Sequence, residues 1–134
     1  MNLAPVVHME RDGDVAVLII DNPPINAASA QVRRELLLAI ERVSGDDNLR
    51  AAVIIGQGRG FIAGSDLREF GQPLQDPQLP EVIAAIEACA KPVVAALHGA
   101  ALGGGFELAM GCDVRIASPA CLLGLPEVLS LIHI

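Results

Sequence analysis

Apolar positions change their spacing several times along the chain, and each change predicts an element. Val6 to Glu10 and Val15 to Ile20 are strand-like runs flanking Arg11-Asp12-Gly13-Asp14, which predicts a β-hairpin turning on an Asp-Gly pair. Asp21-Asn22-Pro23-Pro24 stops the second strand, because proline has no N–H for a ladder. From Val32 through Leu36, Leu37, Ile40 and Val43 the apolar residues recur at helical spacing, with Arg33, Arg34, Glu41 and Arg42 on other faces. Ser29 is the predicted cap of this helix and Ser44-Gly45-Asp46-Asp47 its end. Ala51 to Ile55 reads as a buried strand emptying into the loop Gly56-Gln57-Gly58-Arg59-Gly60. Gly71 to Pro80 holds three prolines and reads as a loop and candidate lid. Beyond it, Glu81 to Ala90 predicts a short helix and Pro92 opens a strand to Leu97. Phe106 to Gly111 predicts a helix started by glycines, and Asp113 to Ala117 a further strand. Strands alternating with helices predict an α/β layered fold.

Composition narrows the function more than the fold. At 134 residues with 52% apolar residues the chain can bury a genuine core as one domain or part of one. With three Phe and no Trp or Tyr, that core is expected to be Ala, Val, Ile and Leu in close packing. A formal charge of −7 supplies no cationic face for phosphodiesters, and the lack of aromatic platforms removes base stacking, so nucleic acid is not an expected partner. Glu10, Arg11, Asp12 and Asp14 interrupt the N-terminal apolar run, so neither a secretory signal nor a membrane span is expected. Cys89, Cys112 and Cys121 are odd in number and lack metal-site spacing, which predicts free thiols and a cytoplasmic, reducing location. His8, His98 and His133 show no ligand spacing, so no metal is expected; His98, following a strand, reads as a structural hydrogen-bonding residue.

Two short stretches carry candidate chemistry. Gly103-Gly104-Gly105 follows an apolar run and precedes Phe106-Glu107, leaving backbone that no side chain shields from a ligand. A helix opening there would aim free N–H groups at one spot, a site for developing negative charge, with Glu107 beside it. Gly58-Arg59-Gly60-Phe61-Ile62-Ala63 formally matches the dinucleotide pattern G-x-G-x-x-A. It lacks the long helix such a site needs, since Asp66 to Phe70 gives barely one turn before Gly71 and Pro73. A mobile loop is the plainer reading of that match taken alone.

Taken together, Phe61-Ile62-Ala63-Gly64-Ser65-Asp66-Leu67, Leu102-Gly103-Gly104-Gly105-Phe106-Glu107-Leu108 and Gly124-Leu125-Pro126-Glu127-Val128 resemble the enoyl-CoA hydratase/isomerase, or crotonase, superfamily. Asn22 to Ala27, Phe61 to Asp66 and Lys91 to Ala96 look most like the hydratase region of multifunctional fatty-acid β-oxidation enzymes. The likeness runs in order over about residues 5 to 128. It implies a spiral of ββα units, with residues 1–134 as the N-terminal part of a single domain of this kind. Beyond Val128 the pattern breaks off, so a truncation at the C-terminus, foreign residues over 129–134 and exposed apolar surface are expected.

The resemblance also assigns roles. The backbone amides of Ser65 and Gly104 would form an oxyanion hole for a thioester, while Glu107 orients and deprotonates water and Glu127 protonates the substrate. Crowded carboxyls disfavour double ionisation, so one of the two is expected to titrate above a free Glu. Because both carboxylates are present, hydration of an enoyl-CoA is favoured over isomerisation, for which one carboxylate suffices; isomerisation, hydrolysis, decarboxylation and inactive CoA-ester binding remain open. Ala63, Gly64, Asp66, Asn26 and Ala27 would lie against coenzyme A, with Arg59 and Arg68 within reach of its phosphates or merely solvated. Coenzyme A would arrive as part of an acyl-CoA substrate, with no separate cofactor. A homotrimer or a multifunctional-enzyme context is the implied assembly. Asp66 would pin the oxyanion loop through its side chain.

Overall fold

The computed structural model describes residues 3–125; Glu127 and the rest of 126–134 lie outside the described residues. Strands β1 (Val7–Asp12) and β2 (Val15–Ile20) form the predicted hairpin, paired antiparallel from Val7 opposite Ile20 to Asp12 opposite Val15. The turn sits one residue later than Asp12-Gly13. Its two free residues are Gly13 and Asp14, and Gly13 takes φ 62° at the first turn position, where a primed turn needs a residue without Cβ.

Helix α1 (Ala30–Gly45) is capped as expected, with Ser29 Oγ accepting from Val32 N at 3.2 Å. It buries Val32, Leu36, Ile40 and Val43, the stripe its spacing predicted. Its C-terminal carbonyls are held by Lys91, whose ammonium donates to the carbonyls of Val43, Asp46 and Leu49 at 3.2, 2.7 and 2.8 Å. Strand β3 (Ala51–Gly56) follows and pairs parallel with β2.

Next come β4 (Ile62–Ala63), a 3₁₀ turn over Leu67–Glu69, and α2 (Leu79–Ala88). Helix α2 opens two residues before the predicted start, because Pro80 falls in its first turn, where a missing N–H breaks no helical bond. Glu81 closes that end by accepting from Gln78 N at 3.3 Å. Then β5 (Val93–Leu97), β6 (Ala100–Leu102), α3 (Gly104–Met110), β7 (Val114–Ala117) and β8 (Leu122–Gly124) complete the described chain.

The strands sort into two sheets. One runs β1-β2-β3-β5-β7, parallel except for the hairpin, and the other runs β4-β6-β8, parallel throughout. Each turn of the chain therefore adds one strand to each sheet: β3 and β4 before α2, β5 and β6 before α3, then β7 and β8. This is the spiral of ββα units. The hydrophobic pattern missed the whole second sheet, because strands of two or three residues are too short to show a period of two.

Between the elements the core is mainly aliphatic: Leu18, Ile20, Leu36, Ile40, Leu49, Ile54, Ile62, Ile86 and Leu108 are fully enclosed. Phe61 is the aromatic exception and is also fully buried, at the bend where the chain leaves the first sheet for the second. Residues 16, 18 and 20 of β2, 52 and 54 of β3 and 93, 95 and 97 of β5 face this core, and their alternates are half-buried. By contrast β7, at the end of the first sheet, is exposed along its length, as are Leu122 and Leu123 of β8. No helix among the described residues is long and apolar enough to cross a membrane.

Candidate active site

The register of the small sheet brings the two glycine-containing motifs together. Strands β4 and β6 run parallel with Ile62 opposite Ala101 and Ala63 opposite Leu102. Ser65 follows Ala63 by two residues and Gly104 follows Leu102 by two, so the strand pairing brings both loop segments to the same end of the small sheet. Among the described residues neither the Ser65 N–H nor the Gly104 N–H has a protein acceptor.

At the β6 end the backbone is shaped by glycine. Gly103 takes φ 57° and ψ −123°, which side chains disfavour, and its N–H is held by Gly124 O of β8 at 2.9 Å. A Cβ on Gly105 would run into the carbonyl oxygen and Cβ of Ile62, so the first turn of α3 lies directly on β4. Helix α3 starts at Gly104, two residues before the predicted Phe106, since the glycines are inside the helix. Glu107 sits in that first turn, exposed, its N–H donating to Gly103 O at 3.0 Å.

The β4 end also turns on a glycine, Gly64 at φ 103°, and is held by charged side chains. Gly64 O accepts from Ala28 N at 2.9 Å. Asp66, with 8% of its side chain exposed, accepts from Arg68 N at 3.0 Å and from the Arg68 guanidinium at 2.8–3.2 Å. These Arg68 bonds hold the Asp66 carboxyl below its ordinary 3.8. These bonds run from Asp66 to Arg68, two residues on within the same loop, and they orient Arg68, whose guanidinium is largely exposed.

Ser65 and Asp66 stand where two clefts meet. A cleft of about 300 Å³ is lined by Asn22, Pro23, Pro24, Ala27, Leu67 and Arg68 together with the pair. A second, of about 170 Å³, runs from the same pair past Glu69 and Arg33 to Phe70, Pro73 and Leu74. Ala63 lines a smaller neighbouring hollow with Pro24, Ile25, Arg59, Gly60 and Ala100. Of the expected coenzyme A residues, Ala27, Ala63 and Asp66 therefore line cavities, and Gly64 contributes a carbonyl to the scaffold. Asn26 has a different environment. It is buried with φ 55°, its Oδ1 accepts from Asn22 N at 2.8 Å, and its Nδ2 donates to the carbonyls of Gln57 and Gly60, both at 3.0 Å. It ties the loop after β2 to the loop after β3.

His98 Nε2 lies 2.8 Å from Gly58 O, which fastens the loop before β4 and matches the structural role expected of it. The Gly71–Pro80 stretch expected to be a lid is partly helix from Leu79, and Arg33 holds its earlier part: Nε donates to Pro77 O at 2.7 Å and Nη2 to Gln75 O at 3.1 Å. Sequence reasoning missed both Arg33 and Glu69, whose 3.2 Å ion pair joins positions 36 apart with no local pattern to flag it. Glu127 lies outside the described residues.

A family model described as enoyl-CoA hydratase/isomerase matches residues 10–130. The chain belongs to the enoyl-CoA hydratase/isomerase family. It is 50% identical over 114 residues to a peroxisomal bifunctional enzyme of Danio rerio, covering 85% of this chain and 16% of that relative. It is also 44% identical over 124 residues to a probable enoyl-CoA hydratase of Bacillus subtilis, covering 87% of this chain and 48% of that one. Among solved structures, that of Pseudomonas aeruginosa DspI superposes with a TM-score of 0.87 at 31% identity, over 97% of this chain and 52% of that one. An enoyl-CoA hydratase/carnithine racemase from Magnetospirillum magneticum superposes at 0.86 with 28% identity, over 98% and 52%. The chain thus spans about half or less of the length of these relatives.

Proposed function

We propose that this chain carries the thioester-activating part of an enoyl-CoA hydratase, which adds water syn across the double bond of a trans-2-enoyl-CoA to give a 3-hydroxyacyl-CoA. One observation supports it above the rest: the parallel pairing of β4 with β6, which brings the Gly64-Ser65 loop, lining two clefts, to the same sheet end as Gly103-Gly104, with neither the Ser65 nor the Gly104 amide having a protein acceptor among the described residues. In this reading the coenzyme A portion occupies the larger cleft and the acyl chain the narrower one. The thioester oxygen accepts from both amides, and enolate charge on it is stabilised more in the transition state than in the substrate. Losing one such donor lowers the rate by about 10²–10³.

Glu107, one turn past Gly104, takes the proton of the attacking water, and Glu127 delivers a proton at C2. Coenzyme A comes with the substrate, so no separate cofactor is required. The free thiols fit a reducing compartment, cytoplasmic or, as for the relative named peroxisomal, within an organelle. The chain acts as the N-terminal part of a single crotonase-like domain, in a homotrimer or a multifunctional enzyme.

Mixing the protein with crotonyl-CoA and following loss of the conjugated thioester absorbance tests this. Glu107→Gln is expected to lower turnover by about 10²–10⁴ while leaving the protein folded. Undiminished turnover in both Glu107→Gln and Glu127→Gln would sink the acid/base assignment. A second reading, a CoA-ester-binding module without turnover, is favoured by Glu107 being exposed and lining neither cleft. Calorimetric binding of crotonyl-CoA without consumption would select it.

A further inference from the structure

The segment from Gly64 to Gln78 has little regular structure, yet the first turn of α1 holds it at several points. Ala28 N donates to Gly64 O at 2.9 Å, just before Ser65. Four residues after Ser65, Glu69 Oε2 accepts from Ala30 N at 2.7 Å, so a distant carboxylate closes a free donor at the N-terminus of α1. The other oxygen, Oε1, accepts from Arg33 Nη1 at 3.2 Å. That same guanidinium reaches Ala28 O at 2.7 Å, Gln75 O at 3.1 Å and Pro77 O at 2.7 Å, with only 11% of the side chain exposed.

We propose that Arg33 and Glu69 are positioning residues that fix the Ser65 amide and the wall of the narrower cleft against α1. The inference rests on the reading of the Ser65 amide as an oxyanion donor. Its physical basis is the planar fork of arginine, which satisfies carbonyls from Ala28, Gln75 and Pro77 and a carboxylate at once. A lysine ammonium keeps the charge but is a point donor on a flexible stem and cannot span them. Loosening the clamp leaves the apolar core intact, since neither residue belongs to it.

The test uses Arg33→Lys and the milder Glu69→Gln, which keeps an acceptor for Ala30 and removes only the charge. Backbone amide exchange is read across the chain, and kcat and KM for crotonyl-CoA are read per folded molecule. Arg33→Lys is expected to speed exchange over residues 64–78 by about 10–10²-fold, the loss of charge-assisted bonds, with β2 and β3 unchanged. Turnover is expected to fall about 10²-fold in kcat with little change in KM, as misplacement of a transition-state donor requires. Glu69→Gln should show the same pattern at smaller size. Exchange over 64–78 that matches the parent chain in both variants overturns the clamp, as does activity lost only in proportion to the unfolded fraction. If the parent chain turns over no crotonyl-CoA, the hydratase reading falls, and the exchange comparison still decides the clamp.

Discussion

The ends of β4 and β6 lie side by side, Ala63 opposite Leu102, and each turns on a glycine of positive φ, yet they are held by different means. The β6 end depends on missing side chains: Gly103 adopts a conformation that a Cβ disfavours, and Gly105 lets α3 rest on the Ile62 carbonyl. The β4 end turns on Gly64 at φ 103° but is held by charged side chains: Arg68 on Asp66, and Arg33 with Glu69 on α1. One end is held by steric necessity and is indifferent to pH. The other is held by carboxylates and responds to their protonation. The two neighbouring strand ends therefore have separate points of failure.

The sharpest break is expected at the glycine end. Gly105→Ala drives a methyl into backbone that cannot yield and should destabilise by about 3 kcal/mol or more, read from the midpoint of urea unfolding. Gly104→Ala is its control, because there the methyl meets the end of a side chain, Leu79 Cδ2 at 2.9 Å, and not backbone. It should cost under about 1 kcal/mol. Equal losses in the two variants would show that volume, and not backbone contact, governs this end.

At the other end the effect is smaller and depends on acid. Arg68 lowers the folded-state pKa of Asp66 below 3.8, so the stabilisation is fully present above 3.8 and is lost as pH falls through the lowered value. Asp66→Asn should flatten that acid limb, measured as the urea midpoint between about pH 6 and about pH 3. A parallel acid limb in the variant would remove Asp66 from the account. Ser65→Ala should change stability by less than about 0.5 kcal/mol, since the exposed hydroxyl is not what the site uses.

A reference outside both ends is Cys112, whose thiol is pushed up to about 12, chiefly by burial. At neutral pH it should resist alkylation until the chain unfolds, while the half-buried Cys89 and Cys121 react first, as mass spectrometry would show. In alkali the sign is opposite to that of Asp66: stability falls as pH rises from 9.0 toward about 12, where only the unfolded thiol ionises.

Elements long enough to repeat a pattern were legible in the sequence. The stripe Val32, Leu36, Ile40 and Val43, the runs of β2, β3 and β5, and the Ser29 cap follow from spacing and local hydrogen bonding alone. Motif order gave Ser65, Gly104 and Glu107 as candidates through resemblance to the family.

What no local pattern contained was the pairing of β4 with β6, the Arg33–Glu69 bond and the inward turn of Asn26. Each joins positions more than thirty residues apart. The chain by itself therefore determined which segments become helix or long strand, because those depend on neighbours a few residues away. Only the tertiary structure decided which loops meet, because two- and three-residue strands are held by partners that the winding of the chain brings beside them.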